Sequence, residues 1–179
     1  MPYIKSIRRP LFDKPLKQVL EYLEGSSDKA SDFSYISYRL AQAWYYRGTS
    51  KCHQGINDII GCFNCASMEL YRRFITEDGA EDVYCETTIR VLPEKVRDII
   101  DSLIEPLLSV VKTGENICAV DLNYVLTKIA IVIVRDSNEE RVINVHRSIA
   151  AMRTAGIKFY GVYASPYEDL KIEENGDVY

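Results

Sequence analysis

Histidine is almost missing from this chain, two residues in 179, and tryptophan occurs once. Two imidazoles leave little material for a histidine-based metal site, and Ser-His or Cys-His nucleophile pairs can be drawn only arbitrarily. Also missing are a Gly-x-Gly-x-x-Gly turn, a Gly-Lys-Ser/Thr loop and a Gly-x-Ser-x-Gly elbow. Without them the usual dinucleotide, P-loop and α/β-hydrolase signatures are excluded. No apolar run approaches the ~20 residues of a membrane helix; the longest, Ile129 to Val134, has six. The first ten residues lack the apolar stretch of a signal peptide, so the sequence predicts a soluble, cytoplasmic protein with no membrane partner. Basic excess is lacking too: 22 Lys and Arg stand against 26 Asp and Glu, a net charge of -4 and a pI near 5.3. Phosphate-backbone binding needs a basic face, so nucleic acid is not expected as the main partner. Five cysteines cannot all pair within one chain, which disfavours a secreted disulfide framework.

What the chain does contain is a repeat. Asp32-Phe33-Ser34-Tyr35-Ile36 recurs 89 positions later as Asp121-Leu122-Asn123-Tyr124-Val125, and each tyrosine is followed 36 residues on by another, Tyr71 and Tyr160. The same register lays Arg39 on Lys128, Ala41 on Ala130, Ile60 on Ile149, Ala66 on Ala155 and Leu70 on Phe159. Few of these are identities; the shared spacing carries the argument. It divides the chain into residues 1–85 and 86–179, joined at Cys85-Glu86-Thr87-Thr88-Ile89-Arg90 with no Gly/Ser/Pro-rich linker. Each half is short for an independent core, so the two are expected to pack together as one globular unit.

The periodicity is helical in both halves. Asp13 and Pro15 read as the start of a first helix over Leu16, Val19, Leu20 and Leu23, ended by Gly25. Ser31 and Asp32 offer a cap for a second, and Ile56 to Ile75 keeps one apolar face through a third, stopping at Gly79. In the second half Pro93 opens a helix that Pro106 should break or kink and Gly114 should close. Asp121 caps the fifth helix, and Ser137-Asn138-Glu139-Glu140 has the capping-box pattern for the sixth. Ile129-Ala130-Ile131-Val132-Ile133-Val134 alone would suggest a buried strand. Its register mate Leu40-Ala41-Gln42-Ala43-Trp44-Tyr45 is helical, so both are read as helices. The expectation is an all-α protein: two pseudo-repeated three-helix units with a polar C-terminal tail.

The tail, Ser165-Pro166-Tyr167-Glu168-Asp169 through Glu174-Asn175-Gly176-Asp177-Val178-Tyr179, closely resembles the ending of a family of small uncharacterised proteins from bacteria, archaea and phages. The Met1-Pro2-Tyr3-Ile4 start, Leu122-Asn123-Tyr124-Val125 and Met68-Glu69-Leu70-Tyr71-Arg72-Arg73 are similar to further motifs of that family. Its usual member is one unit of about half this length, so the resemblance implies a fused duplicate. It also implies a phage association, with the host cytoplasm as location if the chain is phage-encoded. Motifs that sit together in one family unit are divided here: where the second half should repeat the arginine pair it has Gly161-Val162. The family brings no activity with it.

Three groups of residues invite chemistry. Cys52, His53, Cys62 and Cys65 match zinc in number, but Cys62 and Cys65 fall inside a helical stretch rather than on the tight turn of a zinc CxxC pair, so free thiols and no metal are expected. Glu69 with Glu77 and Asp78, and Glu173 with Asp177, suggest the carboxylate pairs of a metal-dependent all-α nucleotide pyrophosphohydrolase, the alternative reading. A second Glu-x-x-Glu is missing, and Lys158 stands at the position matching Glu69. Tyrosine is the residue in excess, 13 of 179, a rigid apolar ring with a polar tip that suits contact surfaces. The preferred reading is therefore a binding protein without a cofactor. Its Tyr/Arg surface of Tyr35, Tyr38, Tyr71, Arg72, Arg73, Tyr124, Tyr160, Tyr167 and Tyr179 would take a protein partner, a second copy in self-association, or a small anionic ligand.

Overall fold

The computed structural model describes residues 4–47, 53–75, 89–114, 117–136 and 141–176. Seven α-helices run through them, α1 (Arg9–Gly25), α2 (Lys29–Arg47), α3 (His53–Phe74), α4 (Glu94–Thr113), α5 (Ala119–Val134), α6 (Arg141–Phe159) and α7 (Ser165–Asn175), with no strand among the described residues. The helix order of α1 to α3 repeats in α4 to α6, and Ile129 to Val134 is helical.

Helix starts differ from the sequence reading in instructive ways. α1 begins before Asp13, at Arg9, behind a 3-10 turn over Ser6–Arg8 and with Pro10 in its first turn, because Phe12 is already buried and anchors that turn. Pro15 and Pro106 both lie inside continuous helices. The carbonyls they orphan belong to Leu11 and Ser102, and both residues are exposed, so water replaces the lost bond. α2 starts at Lys29, with the Asp28 carboxylate accepting the Ser31 amide at 3.2 Å; Asp32 lies within the first turn. At α5 the cap is reciprocal: Cys118 is the flanking residue and Asp121 accepts the Cys118 amide at 2.8 Å. Gly79 and residues 137 to 140 lie outside the described residues. The polar tail is helical over its described residues. A π-helical turn, Tyr160–Ala164, carries α6 into α7, and Tyr167 is half-buried against the core.

The packing is reciprocal and crosses between the halves. α2 makes its most extensive contact with α6, and α5 makes its own with α3; α2 also lies on α4 as α5 lies on α1, while α1 meets α4 and α3 meets α6. This is the pattern of an approximate two-fold pair whose members have interlocked. One core results, with Phe12, Leu16, Phe33, Ile36 and Leu70 from the first half and Ile104, Leu126, Ile129 and Phe159 from the second. α5 sits among α1, α2, α3 and α6, which is why its sequence is apolar on nearly every side.

Candidate functional site

The polar ties follow the same crossing. Tyr35 on α2 donates to Asp101 Oδ2 on α4 at 3.0 Å, and Arg39, one turn further, donates to the same oxygen at 2.6 Å. In the other half Tyr124 donates to Asp13 Oδ1 at 2.8 Å and Lys128 Nζ stands 3.4 Å from it. Each cation also lies over its tyrosine ring, at 6.0 Å for Arg39 and 5.7 Å for Lys128. Tyr35 and Tyr124 thus occupy equivalent places, each in a Tyr, cation and Asp triad that staples one half to the other. Burial and then the bonded aspartate raise both phenols, Tyr124 to about 12, so they remain protonated donors. Arg8 with Asp121 at 2.5 Å, Lys29 with Asp136 at 2.8 Å, and Arg47 donating to the Gly114 carbonyl at 2.6 Å add further links between halves.

Other sequence candidates are engaged locally. Glu69, buried, accepts Arg72 at 3.1 and 3.0 Å and Arg73 at 2.5 Å, and the Arg72 bonds, with Arg73 second, hold its carboxyl below the usual range despite burial. That arrangement spends Glu69 on guanidinium groups. Glu77, Asp78, Asp177 and Tyr179 lie outside the described residues. Among the described residues no group of three or more His, Cys, Asp and Glu side chains is placed to hold a metal ion. Cys62 is buried, donates to the Ala119 carbonyl at 3.1 Å, and its thiol is pushed up to about 12 chiefly by burial; Cys65 and Cys118 are exposed and free. Cys52 and the His53 side chain are not described. No described helix is long and apolar enough to cross a membrane.

Two of the concave features among the described residues take in tyrosines that the sequence singles out. The larger is a groove of about 750 Å³ between α3 and α6. Its lining pairs residues 89 apart: Ile60 with Ile149, Phe63 with Met152, Asn64 with Arg153, Ser67 with Gly156, Met68 with Ile157. It therefore lies where the two halves meet their own equivalents, and only Arg153 in it is charged. Met68 and Ile157 on its rim are 63% and 75% exposed, and Tyr160 closes one end with its hydroxyl bonded to Glu168. Tyr71, the register mate of Tyr160, is half-buried against the core instead. The smaller is a cleft of about 130 Å³ among α2, α6 and the start of α4, to which Tyr35 and Tyr38 contribute.

The sequence reading brought one residue, Tyr160, to the groove and two, Tyr35 and Tyr38, to the cleft. It missed Met68, Arg153 and Ile157 because a helix periodicity marks the core face, and these lie off it. The pairing at the repeat offset was the available signal, since Ile60 and Ile149 had already matched.

An all-α chain built from two interlocked copies of one helical unit is thus defined. The sequence profile of a domain of unknown function, DUF6899, matches it twice, over residues 1–83 and 91–178, and the chain belongs to that family. No curated protein and no solved structure matches it.

Proposed function

We propose that this is a non-catalytic binding protein and that the α3/α6 groove receives an apolar helix of a protein partner. The supporting observation is the groove together with its exposed rim. A small molecule seated in the cavity would cover the inner sides of Met68 and Ile157 and leave their outer surface in water, whereas a helix laid along the groove covers more of both. Ile60, Asn64, Ser67 and Met68 line α3 over about two turns, which suits anchors spaced i, i+3 or i+4, and i+7 on the incoming helix. Met152 in the floor and Met68 on the rim give an adaptable apolar lining, and Arg153 offers one cation to an acidic group of the partner.

The test is a photo-reactive residue at Ile157, irradiated in the native cell. Adducts to another protein at Ile157, abolished by Met68→Glu, are the expected result. Adducts only between copies of this chain would assign the groove to self-association, and adducts unaffected by Met68→Glu would remove the groove from the account.

A further inference from the structure

The small cleft beside α2 has a chemistry opposite to that of the molecule as a whole. The chain is net acidic, yet the charged residues lining this cleft among the described residues are three cations, Arg90, Arg97 and Lys158, and no carboxylate. Hydroxyls supply the rest of its polar lining: Ser31, Ser34 and Thr154 join Tyr35 and Tyr38. Ser31 is 1% exposed and accepts the Arg90 amide at 2.9 Å, which leaves its own proton to be donated; Ser34 is buried beside it. Lys158 stands 4.5 Å over the Tyr38 ring, which holds the ammonium at the cleft without neutralising it. The nearby Asp101 is turned to Tyr35 and Arg39. Arg97 forms no ion pair with any described residue.

We infer that this cleft binds a phosphate group, with Arg97, Arg90 and Lys158 supplying charge and Ser31 and Ser34 supplying directed donors. The volume, about 130 Å³, accommodates a tetrahedral oxyanion and excludes a whole nucleotide. The group is either free phosphate or the terminal phosphomonoester of a larger molecule whose remainder extends past Val91 into solvent, a residue that is almost fully exposed. Three cations and paired hydroxyls favour a dianion over chloride or a monovalent carboxylate, because each extra charge on the ligand meets another preformed partner.

Titration calorimetry on the full chain at constant ionic strength, with inorganic phosphate and with methyl phosphate, tests this. One site per chain is expected, with affinity for phosphate falling at least tenfold in Arg97→Gln and in Lys158→Gln. Lys17→Gln, an exposed cation on α1 outside both linings, should bind as the unaltered chain does. Methyl phosphate binding as tightly as phosphate identifies the end of a larger ligand; weaker binding identifies the free ion. Absence of a saturable site, or equal losses in Lys17→Gln, overturns the inference. Arg97 and Lys158 are exposed, so both variants should fold, and unchanged helical circular dichroism verifies it.

Discussion

Asp32 and Asp121 hold the same position in the two copies, both almost fully buried, and their surroundings have diverged. Asp121 faces the Arg8 guanidinium and caps the Cys118 amide, whereas Asp32 accepts the Ser26 hydroxyl at 2.5 Å and pairs with no cation among the described residues. Burial raises the Asp32 carboxyl, with the Ser26 and Tyr22 hydrogen bonds opposing the rise. A carboxyl raised on folding stabilises the fold as pH falls through that raised value and costs stability above it. Asp32→Asn should therefore leave stability at pH 7 within about 1 kcal/mol of the parent or raise it, and the difference should shrink as pH falls through the raised value toward the ordinary carboxylate value of ~4. Asp121→Asn should instead cost about 1.5–3 kcal/mol, since a charge-assisted bond and a cap are weakened together. Urea melts at pH 7 and pH 4 separate the two. Glu69 has the opposite sign to Asp32: lowered by its arginines, it contributes stability above the ordinary glutamate range and loses it as pH falls through its own depressed value.

At the scale of elements, Gly25 and Gly114 close the equivalent helices α1 and α4. A Cβ on Gly25 would meet nothing within 4 Å; one on Gly114 would stand 2.5 Å from the Val110 carbonyl and 2.9 Å from the Ile117 side chain. Gly25→Ala should be neutral or slightly stabilising, and Gly114→Ala should cost about 1–3 kcal/mol by forcing the turn into α5 apart; thermal melts of the two variants check this. Such asymmetries could not be read from the repeat, because register fixes which residues correspond and says nothing of what each then touches. The helices themselves were legible, for the i, i+3, i+4 spacing of Phe33, Ile36 and Leu40 and of Leu122, Val125 and Ile129 states which face is buried. That same spacing does not name the helix that does the burying. For this reason the sequence pointed to two three-helix units packed into one body, and the crossing of α2 onto α6 and α5 onto α3 had to come from the structure. The groove was illegible for a related reason: Met68 and Ile157 are apolar residues on the outer side, and composition does not distinguish those from core.

For the whole molecule, interlocking means that neither half has its own interior. If the chain is cut between residues 83 and 91, the two pieces should remain together through gel filtration and unfold as one transition, while residues 1–83 made alone should lack a cooperative melt; pieces that each melt sharply and separate would refute the interlocked account. The triads at Tyr35 and Tyr124 make the same point in polar terms, since in each the aspartate comes from the other side of the cut. There is a consequence in time as well as in space. At ~5–20 residues per second of synthesis, the α2 and α3 faces meant for α6 and α5 wait on the order of ten seconds before their covers leave the ribosome. Through that interval an apolar half-protein stands beside other nascent copies bearing the complementary order of helices. Fusing both units in one chain places the right partner closest when it does emerge, so the duplication acts as a kinetic choice of whom each half folds with.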